Sequence, residues 1–153
     1  MIELKFMETA ISEAQKAFLQ GEIPVGCVIV KNGKIIARTH NTTQKNKNSV
    51  CHAEMNAIMQ AIEVTGEKDL RDCDVYVTLE PCPMCAGAFI NLKVKRLFIG
   101  APEPKSGCFG SVSDFNMLNF NHKIEVYYGI CEDSCKKLMT DFFKSKRQKT
   151  PNV

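Results

Sequence analysis

The spacing of apolar residues changes from a helical to a strand period in the first forty positions. Apolar residues recur every three or four positions across residues 2–19, which predicts an amphipathic helix that ends at Gly21. Residues 25–30 form a nearly continuous apolar run, and the Asn32-Gly33 pair that follows is a strong hairpin signal before residues 35–39. We therefore expect one helix followed by a β-hairpin.

The remaining chain alternates helical and strand patterns. Residues 52–65 have helical spacing, and residues 75–79 and 96–100 are short apolar runs of the kind found in buried strands. A fifth strand is predicted at residues 124–128, and a closing helix from residue 132 to about 147. This alternation favours an α/β fold with helices on both faces of the sheet.

Length and composition are those of a soluble domain. The chain has 153 residues, of which 44% are hydrophobic, and it contains no repeat or internal linker. We predict a single domain over residues 1–153, with a short basic C-terminal tail from about residue 144. No apolar run is long enough for a membrane span and no signal segment begins the chain, so we expect no membrane association and a cytoplasmic location. The net charge of +3 neither indicates nor opposes a nucleic-acid partner.

Two short motifs bring together residues with the chemistry of a metal site. His52-Ala53-Glu54 precedes Pro81-Cys82-Pro83-Met84-Cys85 by about thirty residues, and together they offer three soft zinc ligands and one carboxylate. A structural zinc site normally has four protein ligands, whereas a catalytic site has three and leaves a position for water. We therefore predict a catalytic zinc site formed by His52, Cys82 and Cys85, with Glu54 directed at the water. Cys51 adjoins His52, so a closed four-ligand site is the alternative.

Local helix chemistry supports this arrangement of ligands. Pro83 is typical of a first helical turn, which makes Cys82 the expected N-cap of an apolar helix. The partial positive charge of a helix N-terminus lowers the pKa of a thiol and favours the thiolate that zinc requires. Two of the eight cysteines are thus assigned to zinc rather than to disulfides, as expected for a reducing compartment.

The His-x-Glu and Pro-Cys-x-x-Cys pair is the signature of zinc-dependent nucleobase deaminases. The chain resembles the bacterial, homodimeric tRNA adenosine deaminases, a branch of the cytidine and deoxycytidylate deaminase superfamily, over nearly its whole length. The resemblance is carried by Glu22-Ile23-Pro24-Val25-Gly26, Cys51-His52-Ala53-Glu54-Met55, residues 76–88, Lys105-Ser106-Gly107, Gly110-Ser111, residues 121–125 and Asp141-Phe142-Phe143-Lys144. It implies a three-layer cytidine deaminase-like fold, with a central mixed five-stranded sheet flanked by helices.

The resemblance also implies an activity. It predicts a zinc-dependent hydrolase that converts adenosine to inosine at the wobble position of tRNA anticodons, with one zinc ion per subunit of a homodimer. The anticodon stem-loop would be its RNA partner, and Glu54 would move the protons of the hydrolysis. Two alternatives stay open: a deaminase of a free base such as guanine or cytosine, and a non-catalytic zinc module that binds RNA or a partner subunit.

Substrate contacts are carried over from the family one residue at a time. Asn41 and the backbone of Ala53 are expected at the target base, Glu103, Lys105 and Ser106 at the RNA, and Phe143 against a splayed base. Asn41 is equally an ordinary turn residue, residues 103–111 are equally a flexible loop, and one of Phe142 and Phe143 is expected in the core. Many relatives have Asp at the position of Glu103, which leaves its contact with the ribose open. The basic residues at the C-terminal end are candidates for phosphate contacts or a solvated tail; they are Lys144, Lys146, Arg147 and Lys149.

Overall fold

The computed structural model describes residues 2–149 of the chain, except for the side chain of Lys149. Its helices are α1 (Leu4–Leu19), α2 (Ala53–Thr65), α3 (Pro83–Asn91) and α4 (Glu132–Lys149). Its strands are β1 (Gly26–Lys31), β2 (Lys34–His40), β3 (Cys73–Leu79), β4 (Arg96–Ala101) and β5 (Glu125–Tyr127). The predicted elements are all present, with one short 3₁₀ helix at Phe115–Met117 that the apolar pattern did not predict.

The five strands form one mixed sheet in the order β2-β1-β3-β4-β5. Strand β1 is antiparallel to both β2 and β3, whereas β3, β4 and β5 are parallel to one another. Helix α3 joins β3 to β4, as a parallel pair requires a crossover. The carboxyl end of β3 therefore leads directly into the start of α3, where the cysteine motif lies.

Alternate side chains of the central strands supply two separate cores. On one face, Ile29 of β1 and Val77 of β3 pack with the apolar sides of α2 and α3. On the other face, Val28 and Tyr76 pack with α1 and with Cys135 of α4. The sheet is thus covered on both sides, which confirms the predicted three-layer fold.

Helix α1 packs unusually close to the sheet at Gly26. A Cβ atom built on Gly26 would lie 2.7 Å from the backbone nitrogen of Ala14, and nearer still to the carbonyl oxygen of Ala10. Both obstacles are backbone atoms of α1, so only glycine permits this approach. Gly26 pairs with His40 at the end of β2, and Asn41 follows at the functional site. The backbone N–H of Asn41 donates to the Val25 carbonyl at 3.1 Å.

The C-terminal helix ends two residues beyond its predicted end at about residue 147. The basic C-terminal segment that we predicted from about residue 144 is part of α4 as far as Lys149. The side chain of Lys149 lies outside the described part of the chain, and so do residues 150–153. Among the described helices, none combines the length and hydropathy that crossing a membrane would require.

Candidate active site

Two helix N-termini meet at the carboxyl end of β3. His52 is the N-cap of α2, and Cys82 is the N-cap of α3, with Pro83 in the first helical turn as predicted. Cys85 follows one turn later and is fully buried. The fold therefore brings His52 to two cysteines that follow it by thirty and thirty-three residues.

The donor atoms of His52, Cys82 and Cys85 lie within 4.8 Å of one another. The Nδ1 atom of His52 is 3.5 Å from the Cys82 sulfur and 3.6 Å from the Cys85 sulfur. Tetrahedral zinc with Zn–S of about 2.3 Å and Zn–N of about 2.1 Å separates nitrogen from sulfur by about 3.6 Å. The donor set and its spacing therefore fit one zinc ion.

Cys51 does not belong to this donor group. Its sulfur instead accepts a hydrogen bond from the side-chain amide of Asn46 at 3.5 Å. Three donors rather than four match the arrangement of a catalytic zinc site. Within the described residues, the four-ligand alternative therefore has no support.

Hydrogen bonds among the three donors favour a thiolate at Cys82. The bond from Cys85 holds the pKa of Cys82 down to about 4, with a further contribution from His52 and against the effect of burial. The pKa of Cys85 is raised, because its thiol proton is held by Cys82. The bond to Cys82 likewise raises the pKa of His52. These hydrogen bonds therefore favour a negatively charged Cys82 sulfur, which suits it to bind a cation.

Glu54 lies in the first turn of α2 beside the donor group. Its side chain is only 4% exposed. Burial raises the pKa of Glu54 to about 6, although its hydrogen bond from the backbone and the nearby His52 oppose that shift. A carboxyl group with such a pKa both holds and releases protons near neutral pH.

A cavity of about 200 Å³ opens next to His52 and Glu54. Its apolar walls come from Ile23, Val25, Leu79 and Met139. Ile23 and Val25 belong to a segment that carries the family resemblance, whereas Met139 on α4 carries no recognisable signal in the sequence.

Asn41 and Ala53, which we expect at the target base, both line this cavity. Asn41 is 5% exposed, and among the described residues its Oδ1 atom has no hydrogen-bond partner. Buried side-chain oxygens are nearly always paired, so the unpaired Oδ1 atom points to a hydrogen bond with a ligand.

The predicted RNA contacts divide into two groups. Glu103 and Ser106 line the cavity, and so does Phe143, which is 44% exposed. Phe142 is buried instead and packs edge-to-face on Phe18 with ring centroids 5.8 Å apart. Lys105 is exposed and is not part of the cavity wall. The structure therefore brings all predicted substrate residues except Lys105 to one cavity.

Glu80 is a wall residue that the sequence analysis did not select. It follows β3 directly and is 4% exposed, and its carboxylate accepts hydrogen bonds from the loop that carries Glu103. The sequence signal that could have identified Glu80 is a charged residue placed between a buried strand and a proline. Thr43, which also lines the cavity, gave none.

The other histidines are satisfied by protein neighbours. His40 Nδ1 lies 3.0 Å from the Glu13 carboxylate, and His122 Nε2 lies 2.7 Å from the Val94 carbonyl. Neither belongs to the donor group of the candidate site.

Comparison with known proteins agrees with this geometry. Residues 2–101 match the family model of the cytidine and deoxycytidylate deaminase zinc-binding region. A tRNA-specific adenosine deaminase of Bacillus subtilis (strain 168) is 44% identical over 147 residues, which cover 94% of this chain and 90% of that protein. The tRNA-specific adenosine deaminase of Aquifex aeolicus (strain VF5) is 40% identical over 145 residues, covering 93% of this chain and 94% of its own.

Solved structures add a comparison of folds. One from a study of A-to-I editing by tRNA:A34 deaminases at the wobble position of transfer RNA superposes with a TM-score of 0.87 and 38% identity, over 89% of this chain and 99% of that one. A guanine deaminase from Nitrosomonas europaea shares the fold at a TM-score of 0.81, with 20% identity over 92% of this chain and 84% of its own. This chain therefore belongs to the zinc-binding cytidine and deoxycytidylate deaminase family, in its branch of tRNA-specific adenosine deaminases.

Proposed function

We propose that this protein is a zinc-dependent hydrolase that converts adenosine to inosine at the wobble position of tRNA anticodons. The observation that carries the proposal is the position of buried Glu54 beside the three-donor group, at a cavity that Asn41 also lines. The high identity to tRNA-specific adenosine deaminases supports the choice of substrate.

His52, Cys82 and Cys85 hold the metal in this proposal. When bound there, zinc supplies Lewis-acid activation of a water molecule as the nucleophile. Glu54 accepts a proton from this water and delivers protons to the purine ring nitrogen and to the departing amino group. The net reaction consumes one water and releases one ammonia for each inosine formed.

The cavity accounts for recognition of the base. The target adenosine leaves its stack and enters between the apolar walls, where Asn41 and the backbone of Ala53 bind the polar edge of the ring. The unpaired Oδ1 of Asn41 supports this role, because a base then donates to an oxygen that has no partner among the described residues of the free protein.

The remaining contacts concern the RNA around the target. Glu103 and Ser106 lie on the cavity wall, where they reach the sugar and backbone of the target nucleotide. One oxygen of Glu103 already accepts the backbone N–H of Lys105 at 3.0 Å, so its other oxygen is the one offered to the ribose. Phe143 stacks on a neighbouring splayed base, and Lys105 meets a phosphate outside the cavity.

The assembly is proposed on the resemblance to the homodimeric branch of the family. The chain acts as one catalytic domain over residues 1–153, pairs with a second copy, binds one zinc ion per subunit and works in the cytoplasm. Light scattering tests the dimer, and a monomer with undiminished activity would contradict it.

A parallel incubation tests the function. The zinc-loaded protein is incubated with an anticodon stem-loop that carries adenosine at the wobble position, and separately with free adenine, guanine and cytosine. Nuclease digestion and mass spectrometry then measure inosine in the RNA and deaminated products in the free bases. Inosine at the wobble position alone is expected. Turnover of a free base without turnover of the RNA would replace the proposal with the free-base alternative, and an inactive zinc-loaded protein would favour the non-catalytic one.

A further inference from the structure

We infer that Glu80 is a positioning residue that shapes the RNA-binding wall of the cavity. Its buried carboxylate organises the loop of residues 103–111, which carries Glu103, Lys105 and Ser106. The inference rests on the proposed function, because it assigns the loop to substrate RNA.

Both oxygens of Glu80 are used by this loop. Oε1 accepts the backbone N–H of Glu103 at 3.0 Å, and Oε2 accepts the backbone N–H groups of Phe109 at 3.0 Å and Ser111 at 3.1 Å. The Ser111 hydroxyl donates a further bond to Oε1. One carboxylate thus joins the beginning of the loop to its end.

The loop backbone also packs tightly against the carboxylate. A Cβ atom built on Gly107 would lie 2.5 Å from Oε1 of Glu80, so a side chain at this position has no room. The neighbouring Cys108 N–H donates to the Pro81 carbonyl at 2.9 Å. Glycine at position 107 therefore serves the approach of the loop to Glu80.

The chemistry of these bonds makes the loop depend on Glu80. The four donors are neutral N–H and O–H groups, and they satisfy a carboxylate that is almost completely buried. Opening of the loop would leave that carboxylate without its partners, which costs more than the loss of a neutral hydrogen bond. Glu80 acts on the substrate through the loop, since its oxygens are occupied by loop donors.

Glu80→Gln provides the main test. Glutamine has the same size, but its amide nitrogen would face N–H donors where an acceptor is needed. For the anticodon stem-loop, we expect KM to rise about tenfold, as for the loss of one charge-assisted hydrogen bond. We expect kcat to change less than about twofold, because Glu54 and the metal ligands are untouched. Zinc content per chain should equal that of the unaltered protein.

Hydrogen exchange supplies a readout that does not depend on activity. The amides of Phe109 and Ser111 should exchange faster in Glu80→Gln, while those of the central strands should not. The matched control is Glu13→Gln, which removes another buried carboxylate, one paired with Lys16 and Arg38 on the opposite core. This control should leave KM and the exchange of the loop unchanged.

Two further variants keep the test decisive if Glu80→Gln does not fold. Ser111→Ala removes only the hydroxyl partner, and Gly107→Ala forces a methyl group onto the carboxylate. Both should raise KM with little change in kcat, Ser111→Ala by the smaller factor. In a Glu80→Ala background, Gly107→Ala should have almost no additional effect, because the atom it collides with is gone.

The possible outcomes separate this inference from the proposed function. Unchanged loop exchange and unchanged KM in Glu80→Gln would overturn the inference, and so would a fall in kcat with zinc loss at constant KM. If the unaltered protein does not deaminate the stem-loop, the proposed function fails, while the exchange measurement still decides whether Glu80 organises the loop.

Discussion

Replacement of Asn41 by leucine is expected to stabilise the free protein while it removes activity on RNA. The side chain of Asn41 is 5% exposed, and within the described residues its Oδ1 atom has no hydrogen-bond partner. Leucine has a similar shape and no polar group to leave unpaired. The backbone bond from Asn41 to Val25 does not involve the side chain and is retained.

The magnitude follows from the cost of an unpaired buried group. Such a group costs about 1–3 kcal/mol, and imperfect fit of leucine offsets part of the gain. We therefore expect the free energy of unfolding to rise by about 1 kcal/mol. For a chain of this length, that corresponds to an increase in Tm of about 2–4 °C. Activity should fall at least tenfold in kcat/KM, roughly the loss of one hydrogen bond to the base.

Asn56→Leu is the matched control for this experiment. The side-chain nitrogen of Asn56 donates to the His40 carbonyl at 3.0 Å and to the Thr42 hydroxyl at 2.9 Å, so this amide is paired. Its replacement by leucine should lower the stability, since these hydrogen bonds are lost. Thermal unfolding of the zinc-loaded proteins without RNA measures both effects.

Two results would refute the reasoning about Asn41. A drop in Tm for Asn41→Leu comparable to that of Asn56→Leu would mean that the Asn41 amide is already paired in the free protein. Full activity on the stem-loop in Asn41→Leu would mean that the amide does not bind the base.

Three further predictions concern catalysis, packing and pH. Glu54→Gln should retain zinc, measured by metal analysis, and lose about 100-fold or more in kcat, because no carboxyl group remains to move protons; full activity would contradict the mechanism. Gly26→Ala should destabilise the fold by about 3 kcal/mol in urea unfolding, since α1 must move away. Gly87→Ala, where the added methyl group meets open space, should be neutral or stabilising. Equal effects of the two substitutions would contradict the close packing of α1 on Gly26. Burial alone would raise the pKa of Glu13, but bonds from its basic neighbours outweigh it and lower the pKa. Glu13→Gln should thus be less stable at pH 7, and its deficit should shrink as the pH falls below 4.5 through the lowered pKa; a constant deficit would exclude this ion pairing.

The metal group and the main elements were predictable because their signals are local. Cys82, Pro83 and Cys85 lie within one helical turn, so the spacing alone places both sulfurs on the same side of α3. The apolar runs of the central strands likewise follow from the burial of both faces of one sheet. Only the proximity of His52 to the two cysteines depends on the tertiary fold. The sequence predicted it because a catalytic zinc site needs three protein ligands.

The end of α4 was predicted to within two residues, and the basic C-terminal segment is part of this helix. The change to basic residues at position 144 suggested a tail, but residues 144–149 contain neither Gly nor Pro and are mostly good helix formers. Upstream of them, Phe142 anchors the helix against Phe18 of α1. Helix propensity and packing therefore explain why the basic segment belongs to α4.

The part of the site that recognises RNA was harder to predict because its shape depends on distant contacts. The loop of residues 103–111 contains prolines and glycines that are compatible with many conformations. Its conformation is selected by Glu80, which lies 23 residues before Glu103 and 31 before Ser111. The metal ligands and Glu54 thus lie in two short motifs, whereas the loop that we propose for RNA contacts is held by a carboxylate outside it. We therefore expect substitutions at Glu80 and Gly107 to change the RNA preference of the protein without any change to Glu54 or the metal ligands.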